Sequence, residues 1–196
     1  MDRSARAAGI AAAILRLARA AEAGERAAVQ AAGFTPAQAA ALRFAAKTRP
    51  DVATPGHLAR VLGVRHATAV GIVNPLVDRG LIERRPHPFD RRQSVLALTP
   101  AGREAWARLE RWSSGLEAAL ETLGPGELDA FEAAIAKVVA EQVRAGRLVV
   151  SAPCAGCVHF RPGAHPGSGR PHDCALIGRA LGEAEAAMEC PEHTPA

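Results

Sequence analysis

Between Thr54 and Gly80 the sequence spells two short helices and a tight joint, and few folds accept that arrangement. Thr54 is a good N-cap, and Pro55 suits a first helical position, where its missing N–H costs nothing. Gly63 ends this helix, with Leu58, Val61 and Leu62 expected to face inward. After a short turn, "RHATAVGIVNPLVDRG" predicts a helix of about four turns, closed by Gly80. Two short helices across a Gly-containing turn form a helix-turn-helix pattern. The stretches "LIERRP" and "SVLALT" then predict two strands around "HPFDRRQ", a hairpin with an arginine-rich tip.

Longer helices flank this unit. Ile10, Ile14, Leu17 and Ala21 recur at helical spacing within residues 5–31. Thr35, Pro36 and Gln38 make a capping box that starts a helix running to about Lys47. Thr99 and Pro100 open one long helix over "AGREAWARLERWSSGLEAALETL", in which Trp106, Leu109, Trp112, Leu116 and Leu120 read as packing residues. "GPGE" breaks it, and a last helix spans about Pro125 to Ala145, ending at Gly146. Residues 1–146 thus form one domain and residues 147–196 a different kind of segment. The charge is as uneven as the pattern. The net charge is +4, and seven arginines fall between Arg60 and Arg92 against only Asp78, Glu83 and Asp90. Such a local excess suits a polyanion.

The stretch "LARVLGVRHATAVGIVNPLVDRGLIERRPHPFDRRQSVLALTPAGREAW" resembles the MarR family of winged-helix transcriptional regulators. The resemblance covers residues 5–145 and rests on "LVDRGLIERR", on Asp90-x-Arg92 and on "LTPAG". It implies a mainly α fold with a two-stranded β wing, and a homodimer joined through the first and last helices of each subunit. It also implies double-stranded DNA as partner, at a pseudo-palindromic operator with a recognition helix in each major groove. Arg65, His66 and Thr68 would then contact bases or phosphates from the first turn of the recognition helix. On the wing, Arg92 would enter the minor groove with Asp90 orienting it, and Arg84, Arg85 and Arg91 would contact phosphates. The sequence departs from the family at Gly71, where a long polar side chain is common, and at Pro75 inside the recognition helix. Members often bind small aromatic effectors, but no polar constellation here identifies one.

The tail is distinguished by cysteine. No cysteine occurs before Cys154; Cys157, Cys174 and Cys190 follow it. Two thiolates at C-x2-C spacing can clamp a metal from one turn, and two distant ones can complete the shell. A proline directly after Cys190, and thiolates from separated segments, are similar to small four-cysteine iron–sulfur modules, which favours a 4Fe–4S cluster. A structural zinc site on the same four cysteines is the alternative, and disulfide or thiol switching a third. His159, His165, His172 and His193 are expected to support the site or face solvent, and Phe160 to cover it. "LVV" reads as a short extended piece, "RPGAHPGSGRPHD" as loop, and "CALIGRALGEAEAAME" as the helical part of the tail.

These readings lead to a cytoplasmic transcriptional regulator, a repressor, whose cluster senses redox state, oxygen, nitric oxide or iron. No segment is apolar and long enough to span a membrane, and "GIAAAIL" runs into charged helix and is not read as a leader. A regulator with structural zinc and a small-molecule effector is the runner-up. An iron–sulfur electron carrier or redox enzyme is disfavoured, because no nucleotide fingerprint, Ser/His/Asp set or paired carboxylates accompany the cysteines.

Overall fold

The structure is a computed structural model and describes residues 2–111, 114–148 and 151–196. Trp112 and the two valines of "LVV" lie outside the described residues. The elements run α1 (Arg3–Ala31), α2 (Pro36–Lys47), α3 (Pro55–Val61), α4 (His66–Asp78), β1 (Ile82–Pro86), β2 (Ser94–Leu98), α5 (Pro100–Glu110), α6 (Ser114–Glu121) and α7 (Pro125–Arg144). The tail adds β3 (Phe160–Arg161), β4 (His172–Cys174), β5 (Arg179–Leu181) and α8 (Glu183–Ala186).

The start signals act as their chemistry requires. Thr35 accepts from the Gln38 amide, while the Gln38 side chain accepts from the Thr35 amide, closing both halves of the capping box. Thr54 caps α3 through the His57 amide, and Thr99 caps α5 through the Gly102 amide. α3 and α4 form the helix-turn-helix, and β1 and β2 pair antiparallel from Ile82↔Leu98 to Pro86↔Ser94 as the wing. Pro75 sits inside α4, yet the helix continues to Asp78.

Leu42 of α2, Leu58 of α3, Val73 and Leu76 of α4, Ile82 and Leu96 of the wing root, and Leu109 of α5 share one core. Contrary to expectation, Val61 is exposed, and Ala59 is the buried partner of Leu58. Helix is described on both sides of residues 112–113, as α5 and α6.

The tail departs most from expectation. Only Glu183–Ala186 of the helical stretch is α-helix; residues 179–181 pair instead with β4 in a three-stranded antiparallel sheet ordered β3-β4-β5. The alanine- and glutamate-rich composition favours helix, but the edge of β4 offers backbone partners, and pairing overrides a propensity of a few tenths of a kcal/mol per residue, about the size of most helix preferences. The glycine-rich loop joins β3 to β4.

Gly102 explains its place in "LTPAG". A Cβ there would lie 1.9 Å from the Leu81 carbonyl oxygen, where α5 crosses the wing root. Thr99 reinforces this crossing by donating its hydroxyl to the Gly80 carbonyl at 2.6 Å. Gly102→Ala should therefore force α5 off the wing root and cost about 1–3 kcal/mol or more of overpacking energy. Urea unfolding checks this; an unchanged midpoint would contradict the packing described.

Candidate nucleic-acid interface and metal centre

A groove of about 400 Å³ lies between α4 and the wing. It brings His66 and Asn74 of α4 together with Arg84 of β1 and Arg92 of the wing tip. Arg84 donates to the Asn74 side chain at 2.7 Å, tying strand to helix. Arg65 and Thr68 are exposed on the first turn of α4, beside His66. Arg91 and Arg92 are both exposed at the tip. Arg85 is exposed but engaged by Glu83 on its own strand, at 2.9 Å through Nε.

Asp90 acts on Arg92 through its backbone. One carboxylate oxygen accepts from the Arg92 amide at 3.0 Å and the other from the Gln93 side chain at 2.9 Å. These bonds, the Arg92 amide first, hold the Asp90 carboxyl below its ordinary range. His87 fixes the base of the tip: Nδ1 accepts from the Phe89 and Asp90 amides, which leaves the proton on Nε2. Nε2 accordingly donates to the Asp51 carbonyl at 2.7 Å.

Backbone pairing gathers the four cysteines. In "CAGC" the Cys157 amide donates to the Cys154 carbonyl at 3.0 Å, and Gly156 takes φ +76°, the left-handed corner of this tight turn. Ala152 pairs with Cys190, Phe160 with Cys174, and Cys157 with Pro195. Cys154, Cys174 and Cys190 are buried, Cys157 is half-buried, and all four are free thiols. Leu181, Ala186 and Phe160 pack around Cys154 and Cys174. Burial pushes the Cys154 and Cys190 thiols up, and neighbouring cysteines add to it at both. Amides of Thr194 and Glu192 donate to Cys157 and Cys190 respectively.

The donor types are those a metal–sulfur group takes: four neighbouring thiols, with amide donors at two sulfurs and a cation beside a third. Among the described residues no three His, Cys, Asp or Glu side chains form a group that could hold a metal ion. His165 and His172 face Asp173 and Glu183 instead, at 3.5 and 2.9 Å. His193 is half-buried, and burial lowers its pKa.

The tail docks on the helix-turn-helix through charges that no periodic pattern announces. Arg49 and Asp51, 1% and 8% exposed, pair at 2.6 Å, and Arg49 also donates to Cys154 Sγ at 3.8 Å. The second Asp51 oxygen takes Arg179 of β5 at 2.9 Å. Burial alone would drive the Asp51 carboxyl up, but Arg179 and Arg49 outweigh it and hold it low. Glu192 accepts from Arg60 at 2.7 Å and lies 2.8 Å from His57; Arg60 above all holds its carboxyl down at about 2. A cleft of about 600 Å³ remains between wing, loop and tail, and Asp51, His57, His87, Arg179 and Glu192 in its wall are already engaged with partners.

Removing one member of a buried ion pair leaves the other charge unpaired, at a cost of about 3–5 kcal/mol. Asp51→Ala should therefore destabilise the protein by that order in denaturant unfolding. The sign of the pH dependence follows from a depressed carboxyl. The contribution is complete above the ordinary aspartate value of 3.8 and is lost as pH falls through the lower folded value. The Asp51→Ala deficit should accordingly be undiminished at about pH 5 and shrink only in stronger acid. A deficit that vanished at neutral pH would contradict the bridge.

The sequence model of the MarR family matches residues 32–93. A protein from Thauera aromatica described as "Putative transcriptional regulatory protein for hcr operon" is 43% identical over 54 residues, which are 28% of this chain and 32% of that protein. The chain therefore aligns with about a third of this curated relative. A MarR-family transcriptional regulator from Silicibacter pomeroyi is similar in structure, with 27% identity, a TM-score of 0.53, and coverage of 65% of this chain and 86% of that one. RV1404 from Mycobacterium tuberculosis is similar at 26% identity and a TM-score of 0.52, covering 66% and 89% of the two chains. With the wing, the helix-turn-helix and the capped helices around them, these likenesses show a winged-helix body similar to those of MarR-family transcriptional regulators, with the family's sequence pattern over residues 32–93.

Proposed function

We propose that the chain is a DNA-binding transcriptional regulator that works as a homodimer, represses, and carries an iron–sulfur cluster, of the 4Fe–4S type, on its four tail cysteines as a sensor of redox state, oxygen, nitric oxide or iron. The observation that carries the DNA-binding part is the groove in which His66, Arg84 and Arg92 meet. Recognition-helix polar groups and wing arginines converging on one groove suit a duplex read in the major groove and gripped in the adjacent minor groove. Two long helices with exposed apolar residues support the dimer. α1 buries only Val29 and exposes Ile10, Leu15 and Leu17, while α7 buries none of its residues and exposes Phe131 and Val138. A second copy of the same surface is the symmetric way to cover such faces. Among the described residues no helix is long and apolar enough to cross a membrane.

The cysteine spacing supports the cluster over a zinc site: one C-x2-C pair is joined by two thiols from separated segments, with a proline directly after Cys190. A cluster offers corners to thiolates from separated segments and supplies a centre whose charge changes with oxidant and iron supply. The protein's part is to bury three sulfurs, donate amides to Cys157 and Cys190, and set Arg49 against Cys154.

Arg92→Ala should weaken binding to a duplex selected by the wild-type protein about tenfold or more, at the scale of roughly 1–3 kcal/mol for a specific contact. Arg91→Ala should cost less, evenly across sequences, and flatten the log–log salt dependence by about one unit. Equal binding by wild type and Arg92→Ala at moderate salt would refute the wing assignment. Anaerobically purified protein should be brown, with iron and acid-labile sulfide in about equal amounts. Serine at position 154, 157, 174 or 190 should lower or abolish occupancy, because a hydroxyl poorly replaces a soft thiolate. Colourless protein holding one zinc per chain and no sulfide would replace the cluster by structural zinc.

A further inference from the structure

We infer that Asp51 is a positioning residue that, with Arg179 and Phe89, clamps the wing to the cysteine-rich tail, so that the seating of the tail sets the pose in which Arg92 meets DNA. The inference rests on the DNA-reading role proposed above and adds the route by which the tail governs it.

Three contacts converge on Asp51. One carboxylate oxygen takes Arg49, whose guanidinium also reaches Cys154 Sγ. The other takes Arg179, which follows Cys174 by one turn and β5 pairing. The backbone carbonyl of Asp51 takes the His87 imidazole, and that same ring holds the amides at the base of the wing tip. Arg179 then closes the circuit by lying over the Phe89 ring, 5.1 Å from guanidinium carbon to centroid. Phe89 is otherwise 65% exposed, an apolar ring at a hairpin tip whose described aromatic and cationic neighbours are His87 and Arg179.

Geometry makes these contacts interdependent. Asp51 and Arg49 are buried, so neither can turn to water when the tail shifts. Glu185 takes both terminal nitrogens of Arg179 at 3.1 Å, including the Nη2 that meets Asp51, and so holds the guanidinium from within the tail. A displacement of β5 therefore moves Arg179 off both Asp51 and Phe89. Three residues beyond Phe89, Arg92 rides on the same tip and is set by Asp90 through its amide. The tail thus reaches the DNA-reading residues by bracing the wing, and the dimer helices need take no part in this route.

The test uses full-length protein and a duplex that the wild type selects from a random-sequence pool. Arg179→Gln keeps a hydrogen-bonding group but loses the cation and its plane; Phe89→Ala removes an exposed ring and leaves the core untouched. Each should speed hydrogen exchange of the amides between His87 and Gln93 by about tenfold, as expected when a local opening loses a bracing contact, while α2 and α4 stay protected. The two changes should also reduce what Arg92 contributes: Arg92→Ala should cost a smaller fold in affinity in the Arg179→Gln background than in wild type. A merely structural Arg179 would lower stability and leave the cost of Arg92→Ala unchanged. Wild-type wing exchange in both variants, or equal costs of Arg92→Ala in the two backgrounds, overturns the clamp. Iron, sulfide and zinc measured on the same samples test the cofactor separately: metal-free wild-type protein removes the cluster, and the exchange difference still decides the clamp.

Discussion

The buried bridge from Arg49 through Asp51 to Arg179 is the interaction on which the rest depends. Its loop, residues 48–54, lies where three parts of the molecule meet. Thr54 caps α3, the Ala53 carbonyl accepts from Leu96 of the wing at 2.7 Å, and the backbone around Thr48 and Arg49 pairs with Glu189 of the tail. Buried charges are expensive and often no more stabilising than apolar residues of equal volume. What they provide here is register. A carboxylate with two guanidinium partners accepts one relative placement of tail and loop, whereas an apolar contact would tolerate sliding.

The tail needs such an anchor because it has almost no core of its own. Leu181 is its one fully buried large apolar side chain among the described residues; the other buried side chains are Cys154, Cys174, Cys190, Ala186 and Pro191, with Phe160 half-buried against them. Three short strands and one turn of helix around so little apolar surface require docking, a metal or both. The same burial that pushes the Cys154 and Cys190 thiols up means that a metal bound there would displace protons. Arg49, 3.8 Å from Cys154 Sγ, would face the thiolate charge there. Burial opposes its own charge, but the Asp51 bond and the surrounding negative groups outweigh that and keep it protonated. One residue thereby serves the thiolates and the loop at once.

How much of this the sequence revealed depended on the kind of physical signal. Thr35, Thr54 and Thr99 announce helix starts because capping is local chemistry, written within four residues. The wing was legible for the same reason: alternation and turn residues lie side by side. The strands of the tail were not, because β3-β4-β5 pairing joins residues across the glycine-rich loop, and "CALIGRALGEAEAAME" carries a helical composition. Arg49, Asp51, Arg179 and Glu192 were invisible as a set. Each is an ordinary polar residue in a loop or short strand, and only the folded chain brings 49 and 51 to 179, or 57 and 60 to 192. The cysteines stood out by composition, but their burial and their proximity to Arg49 belong to tertiary structure.

The central claim is that the four-cysteine tail governs how the winged helix meets DNA. Its most direct test is the affinity of one selected duplex, at fixed salt and under anaerobic conditions, for the cluster-loaded protein and for the same protein stripped of iron. The account predicts dissociation constants that differ by about tenfold or more, in the 1–3 kcal/mol range usual for coupling between two sites. Identical constants for loaded and stripped protein, with dimer and helix content unchanged, would contradict it.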